Sequence, residues 1–334
     1  MDLNKNDVSI ITILTENYEY FWIDYLTSIL KLEEKPLEVI LITQFKDKKK
    51  TQDLNKKLPS KIFKTFNIKN KKNFKFSYSN NLGSRLSKGK YLLFLNLDTK
   101  FRSNFLNVIL NYHKKNNNDI TGCLYNGFEL NKNKTLNTKL KKYFSIDLLG
   151  YPIFSRKVFY IEGSAMLISK KIFNEIGKFD LFYDAYAEDV DLCWRAHLLN
   201  LKIGVCDFEI SHYSFQKKTN IDIERRKMIE KNTLYTILKN YSKSTLFFII
   251  PLYIFLFIAE SLLLSIILRL NYFKIYISSI EHLFKNKKKL LTKRNTIQSL
   301  RKNNDDFILS LLEFDFYKYK AMLMLLNRKS NDTN

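Results

Sequence analysis

Glycine and proline are scarce in this chain, at 8 and 4 of 334 residues, which excludes collagen-like and Pro-rich architectures. There are three cysteines, Cys123, Cys193 and Cys206. They are odd in number and show no Cys-x-x-Cys spacing, which argues against a secreted disulfide scaffold or a zinc ribbon and fits a reducing compartment. The first seven residues are polar and lead into a short apolar run, without a signal-peptide core or a small-residue cleavage site, so the start of the chain is expected in the cytoplasm. Acidic residues are also in short supply: 33 Asp+Glu face 56 Lys+Arg, a formal charge of +23. Such an excess points to nucleic acid, phosphorylated ligands or an acidic membrane face. Lysine in Lys/Asn-rich tracts equally describes a solvated surface with no partner. What the chain does have is apolar and aromatic side chains, 46% and 15%, which excludes wholesale disorder, and length enough for one large domain or two ordinary ones.

The first 216 residues alternate short β-rich runs with helical patterns, as in an α/β domain with a mainly parallel sheet. Strands are expected at Val8–Leu14, Leu37–Ile42, Lys61–Phe66 and Tyr91–Leu95, with helices over Tyr20–Leu30, Phe76–Ser87 and from Ser103 to about Tyr112. Asn116–Tyr143 is polar and Lys/Asn-rich, with Gly122 and Gly127, and predicts an insertion or mobile loop. Order resumes over Val158–Ser169 and in a helix from Glu188 to Asn200.

Composition changes near Gln216, so residues 217–334 form a second, helical and basic region. Asp222–Asn240 is a charged helix, and Asp305–Leu326 an amphipathic one. Leu246–Leu268 is interrupted only by Pro251, Glu260, Ser261 and Ser265; as a helix it spans about 34 Å, enough to cross a bilayer core. Arg269–Lys302 then carries ten Lys/Arg against one Glu. A single span would put that basic stretch on the far side from the cytoplasm, against the positive-inside rule. Glu260 would cost about 2.5–3.5 kcal/mol at mid-membrane. Pro251 can break or kink the helix. These features favour a monotopic segment in the cytoplasmic leaflet, with the lysines on anionic headgroups, over a span or a buried soluble helix.

Two constellations carry chemistry. The apolar strand ending at Leu95 runs into Asn96-Leu97-Asp98-Thr99, and Asn and Asp at that spacing on a turn offer hard oxygens to Mg²⁺ or Mn²⁺ on a diphosphate. An ordinary Asn/Asp turn fits the same residues. Further on, Glu188, Asp189 and Asp191 open a helix that also holds Arg195. Acids in a first turn suit the helix dipole, but they also suit a general base beside a positioning group, with Arg195 on a phosphate or a partner acid. His113, His197 and His282 have no metal-ligand spacing.

Taken in order, these segments resemble glycosyltransferase family 2, inverting nucleotide-sugar enzymes of GT-A fold, and within it the bacterial rhamnosyltransferase-like branch. The likeness runs from Val8 to Ser214. Thr15 and Asn17 stand at the family's opening Thr-Tyr-Asn-like turn, with Glu16 in the Tyr place. Asn73-Phe74-Lys75-Phe76 and Asn80-Asn81-Leu82-Gly83 resemble its Asn-x-Gly-Phe…Asn-x-Gly segment, with Lys75 in a glycine place. Asn96-Leu97-Asp98-Thr99 resembles the Asn-Pro-Asp-Thr form of the metal-binding motif. Gly163–Ile168, Ile176–Asp180 and Glu188–Arg195 resemble Gly-x-x-Met-Leu, Val-Gly-Gly-Phe-Asp and Glu-Asp-x-Asp-Leu, and His212 falls where the family often has a His near the diphosphate. Where the family's second strand ends in an Asp-Asn pair, this chain has Thr43-Gln44.

The resemblance implies an α/β GT-A domain over residues 1–216 and a membrane-associated helical tail. It implies inverting, metal-dependent transfer of a hexose or deoxyhexose, rhamnose among them, from a nucleotide-diphosphate sugar to a lipid-linked saccharide or polysaccharide at the cytoplasmic membrane face. Asp98, Asn96 and His212 would hold the Mg²⁺ or Mn²⁺; Thr15, Asn17, Thr43, Asn73, Asn81, Asn96, Asp98 and Arg195 would line the donor site. Asp189, or else Glu188, would be the base. Thr43 and Lys75 leave open a catalytically weak membrane scaffold of the same fold. A nucleic-acid-binding protein is not expected, because Lys46–Lys75, though lysine-rich, lacks an aromatic platform.

Overall fold

The computed structural model describes residues 7–15, 19–45, 47–68, 75–128, 143–213, 223–268 and 273–312, with 316, 318 and 320. In chain order its elements are β1 (Val8–Leu14), α1 (Glu19–Leu30), β2 (Glu38–Thr43), α2 (Lys48–Lys57), β3 (Phe63–Asn67), α3 (Phe76–Leu86), β4 (Tyr91–Leu95), β5 (Thr99–Lys100), α4 (Phe105–Lys115), β6 (Ile120–Phe128), β7 (Tyr143–Ile146), β8 (Pro152–Ser155), β9 (Ala165–Ser169), α5 (Lys170–Glu175), α6 (Glu188–Leu198), β10 (Ile203–Tyr213), α7 (Ile223–Asn240), α8 (Lys243–Leu268), α9 (Phe273–Lys285), α10 (Lys287–Leu300) and α11 (Asp305–Leu311). They sort into two compact units. Residues 142–159 and 197–200 belong with the helices from α7 onward, and the rest of the described chain makes the first unit.

The first unit is built on an eight-stranded mixed sheet in the order β3-β2-β1-β4-β9-β6-β10-β5. β9 runs antiparallel to both its neighbours, and β5 antiparallel to β10; the other pairings are parallel. β1 and β2 read as continuous apolar runs because both faces of a central parallel strand are covered. Behind β4, the Phe94 ring lies 5.0 Å from Phe173 and 5.1 Å from Phe179, and Phe179 in turn meets Phe76 at 5.6 Å. This aromatic cluster joins α3, β4 and α5.

One expectation is overturned. Within the supposed insertion over Asn116–Tyr143, residues Ile120–Phe128 form β6, paired with β9 on one side and β10 on the other. The two glycines misled: a Cβ on Gly122 would come within 2.5 Å of Ile161, so the residue marks close packing rather than a turn. Residues 129–142 lie outside the described residues. Helix α2 lies inside the lysine-rich tract, where charge concealed it; Asp47 caps it by accepting from the Lys49 N–H at 2.8 Å.

In the second unit, β7 and β8 form an antiparallel hairpin, and α7 packs against α9 and α10. The C-terminal end of α7 is closed by Arg294, whose Nη1 donates to the carbonyls of Leu238 and Tyr241 at 2.5 and 2.6 Å. α8 runs through Pro251 without a break, with that proline on an exposed side. By length and composition α8 is apolar enough to cross a membrane.

Both tryptophans, Trp22 and Trp194, belong to the first unit, so fluorescence reports its unfolding. Phe94→Ala is expected to destabilise this unit by about 3–5 kcal/mol, seen as a lower urea midpoint in Trp emission.

Candidate functional site

In an open α/β sheet, ligands gather beyond the carboxyl ends of the strands where the strand order reverses. Here that point is β1, with β2 on one side and β4 on the other. Thr15 follows β1, Thr43 ends β2 and the Asn96-Leu97-Asp98 turn follows β4, so four of the expected donor-site residues, Thr15, Thr43, Asn96 and Asp98, share one edge. The Thr15 hydroxyl is buried with no partner among the described residues. Thr43 is fully buried, and its hydroxyl donates to Asn67 Oδ1 at 3.3 Å. Asn67 also accepts from the Phe45 N–H at 3.0 Å, so the end of β2 is tied to β3. Asn17 and Asn73 lie outside the described residues.

The antiparallel strand β9 starts where its neighbour β4 ends, with Ala165 opposite Leu95. It delivers Glu162, Gly163 and Ser164 to the same edge, and the Asn96 N–H donates to the Ser164 carbonyl at 2.9 Å. On the far side of the sheet, His212 of β10 pairs with Thr99 of β5. That register sets His212 Nε2 3.4 Å from Asp98 Oδ2 and Nδ1 3.7 Å from Glu162 Oε2. Burial alone would lower the His212 pKa, but the hydrogen bond to Asp98 and the charges of Glu162 and Asp98 hold it above the ordinary value. Ser164 Oγ lies 2.8 Å from both Glu162 Oε2 and the Tyr125 hydroxyl.

The start of α6 meets this group through Gly163, whose N–H donates to Asp189 Oδ2 at 3.1 Å. The Val190 N–H donates to Asp189 Oδ1 at 2.8 Å. Burial and then the Glu162 charge push the Asp189 carboxyl up to about 6, against those two donors. Glu188 is buried, with Oε2 unpartnered among the described residues. Burial and the Asp189 charge raise it well above the ordinary carboxylate range. The two residues ahead of it, Tyr186 and Ala187, both take left-handed backbone angles, φ 68° each. Strain of this kind gathers at functional sites, where the surrounding structure must hold it.

Two expected donor-site residues are committed elsewhere. The Asn81 amide exchanges hydrogen bonds with the backbone of Phe179, at 2.8 and 3.1 Å. Arg195 is buried; its Nε donates to Asp191 at 2.9 Å, Nη1 to the Ile176 carbonyl at 2.5 Å and Nη2 to the Lys178 carbonyl at 2.7 Å. The partner of Arg195 is therefore an acid and a turn, not an open phosphate site. Gly177, at φ 93°, makes the turn that Arg195 braces. Lys75 pairs with Asp184. Ser164 belongs to the Gly163–Ile168 segment read from the sequence, whereas Glu162 and Tyr125 carry no motif; an acid set in the apolar run before Gly163 is the available signal for Glu162.

Asp98 and His212 supply one carboxylate and one imidazole. Among the described residues no group of three or more His, Cys, Asp or Glu is placed to enclose a metal ion. Two protein donors fit a divalent cation that takes its remaining ligands from substrate phosphates and water.

The model of glycosyl transferase family 2 matches residues 10–177, half of the chain. The chain belongs to glycosyl transferase family 2. A curated relative, the low-salt glycan biosynthesis hexosyltransferase Agl10 of Haloferax volcanii, is 28% identical over 145 residues, 40% of this chain and 47% of that protein. The chain thus spans about half the length of that relative. GalNAc-T7, solved with UDP, GalNAc and Mn²⁺, superposes with a TM-score of 0.61 at 14% identity, over 73% of this chain and 49% of that one. Residues 1–349 of S. aureus TarS in complex with UDP-GlcNAc superpose with a TM-score of 0.51 at 15% identity, over 71% and 68%. At such identities the likeness is one of fold. The family's fold acts on nucleotide-sugar donors.

Removing the Arg195 guanidinium takes the paired cation away from the buried Asp191 carboxylate. Arg195→Met is expected to cost about 3–5 kcal/mol of stability, read as a lower urea midpoint, and Arg195→Lys to recover only part of it.

Proposed function

We propose that this family member is an inverting, metal-dependent glycosyltransferase. On this reading it moves a hexose or deoxyhexose, rhamnose among them, from a nucleotide-diphosphate donor to a lipid-linked saccharide at the cytoplasmic face of a bacterial membrane, in surface-polysaccharide assembly. The observation that carries it is the line of side chains from Asp98 through His212 and Glu162 to Asp189 along one sheet edge. The donor lies across β1 and β4, its diphosphate near Asp98, Asn96 and His212 and its ribose side near Thr15 and Thr43. A divalent cation held there with the phosphates would neutralise charge on the departing nucleotide diphosphate. That GalNAc-T7, of similar fold, was solved with UDP, GalNAc and Mn²⁺ supports that assignment.

Asp189 takes the proton from the acceptor hydroxyl as its oxygen attacks the anomeric carbon from the face opposite the diphosphate. A single displacement inverts that carbon. Between the two candidate acids, Asp189 is half-buried and pushed up to about 6, whereas Glu188 is buried and raised well above the ordinary carboxylate range by burial and the Asp189 charge. A base must be both reachable and ionised at the working pH, and Asp189 meets both conditions. Glu188 then supports the helix start, with Asp191 and Arg195 behind it. The Gly163 N–H fixes the orientation of the Asp189 carboxylate.

Release of nucleoside diphosphate from a panel of nucleotide sugars with Mn²⁺ tests the assignment. Asp189→Asn is expected to lower kcat about 10²–10⁴-fold with little change in KM. Asp98→Ala is expected to abolish Mn²⁺-dependent turnover. Equal background rates in wild type and both variants would sink the enzyme reading and favour a scaffold of the same fold, for which the uncharged, fully buried Thr43 is the motive.

The pH profile follows from the raised carboxyl. Asp189 works only as the carboxylate, so kcat should level off above about pH 6 and fall about tenfold per unit below it. A profile flat down to pH 4.5 would exclude Asp189 as the base.

A further inference from the structure

The second unit buries a group of charges that neither the transfer chemistry nor the sheet uses. Glu260 of α8 and Glu230 of α7 are 2% and 0% exposed. Arg226 bridges them, with Nη2 2.5 Å from Glu260 and Nε 2.9 Å from Glu230. Lys318 bridges them again, with Nζ 2.6 Å from Glu260 and 3.1 Å from Glu230. The hydroxyls of Tyr151 and Tyr253 lie 2.5 and 3.2 Å from Glu230, and that of Tyr276 bonds to Glu260. Two acids face two bases and three tyrosine hydroxyls donate to the acids, so the cluster is neutral as it stands.

This cluster divides α8 into two faces. Ile249, Tyr253, Glu260 and Leu264 point inward and are buried. On the outside, Phe247, Phe248, Phe255, Ile258, Leu262 and Ile266 form an unbroken apolar stripe, with Phe247 75% and Ile266 72% exposed. Ile277, Ile280 and Phe284 of α9 are exposed as well. Exposed Lys285, Lys287, Lys288 and Lys289 follow Phe284 directly, and Leu291 stands exposed one turn beyond Lys287 and Lys288.

We infer that α8 and α9 dock on an anionic lipid surface, with α8 lying in the plane of the leaflet rather than crossing it. A crossing helix has lipid on every side, so α8 would have to shed Arg226 and Lys318 and carry Glu260 into hydrocarbon. An in-plane helix keeps the cluster whole and wets only the side that is already apolar. The run of lysines at the end of α9 and the start of α10 selects headgroups of negative charge. This deepens the reading of a membrane-bound acceptor and rests on it, but it does not depend on which residue is the base.

The test uses the full chain and vesicles of phosphatidylcholine with and without phosphatidylglycerol. Binding by flotation should be at least tenfold tighter to the anionic vesicles and should weaken with salt. Phe247→Asp combined with Phe255→Asp should lose it, while thermal stability is kept. Because the second unit has no tryptophan, Trp placed singly at positions 248, 255 and 266 reports the depth of α8. Brominated lipids should quench all three to the same shallow depth. A central position deeper than both ends means a span and overturns the inference. So does a dimer that hides this face and ignores vesicles. The Asp189→Asn chain should bind vesicles as wild type does; loss of turnover with binding intact touches only the transfer reading, and absence of binding with turnover intact touches only this one.

Discussion

The site depends on one strand that runs the wrong way. Parallel strands end together at one edge of a sheet, and the segments leading into them lie at the other. β9, hydrogen-bonded antiparallel between β4 and β6, begins where β4 ends. Its leading residues Glu162, Gly163 and Ser164 therefore stand beside Asp98, not a sheet's width away. From there a single N–H, that of Gly163, reaches the Asp189 carboxylate at the start of α6. A side chain at position 163 would put its Cβ 2.7 Å from the Phe76 ring, so the close approach requires glycine there.

Gathering Asp98, Glu162, Glu188 and Asp189 at one edge has an electrostatic consequence. Burial and mutual repulsion raise Glu188 and Asp189, so the folded protein holds those protons more tightly than the unfolded chain does. The stability they contribute is present at low pH and is lost as pH rises through the folded values. Above about pH 6 the ionised Asp189 is a destabilising charge, and the surrounding sheet must carry it. Strain at Tyr186 and Ala187 adds to the same small region. A carboxyl raised to about 6 is held at the expense of local stability.

The second unit handles buried charge in the opposite manner. There Arg226 and Lys318 match Glu230 and Glu260 one for one. In the first unit, Asp191 and Arg195 are likewise paired and out of reach. These charges are paired, whereas Glu188 Oε2 has no partner among the described residues and the Asp189 carboxyl is raised. The distinction is legible only once partners are known, since both kinds sit on similar helices in the sequence.

Much of the frame was written in local pattern. Apolar runs placed β1, β2, β3 and β4, and the Asp98 turn and the Glu188-Asp189 helix start stood out because strand and helix ends have their own chemistry. β6 was misjudged because glycine signals both a turn and close packing, and only the approach of Ile161 to Gly122 tells them apart. Glu162 takes its meaning from the direction of β9, which no residue encodes by itself. Glu260 looked like an obstacle in an apolar run until Arg226 and Lys318, distant in sequence, arrived beside it. The sequence by itself determined the family, the sheet's parallel half and the acids available for chemistry, because these follow from periodicity and local motifs. Which acids are paired, which carboxyls are raised and which face of α8 is left apolar were decided by the tertiary structure, because burial and charge partners arise only when remote segments pack.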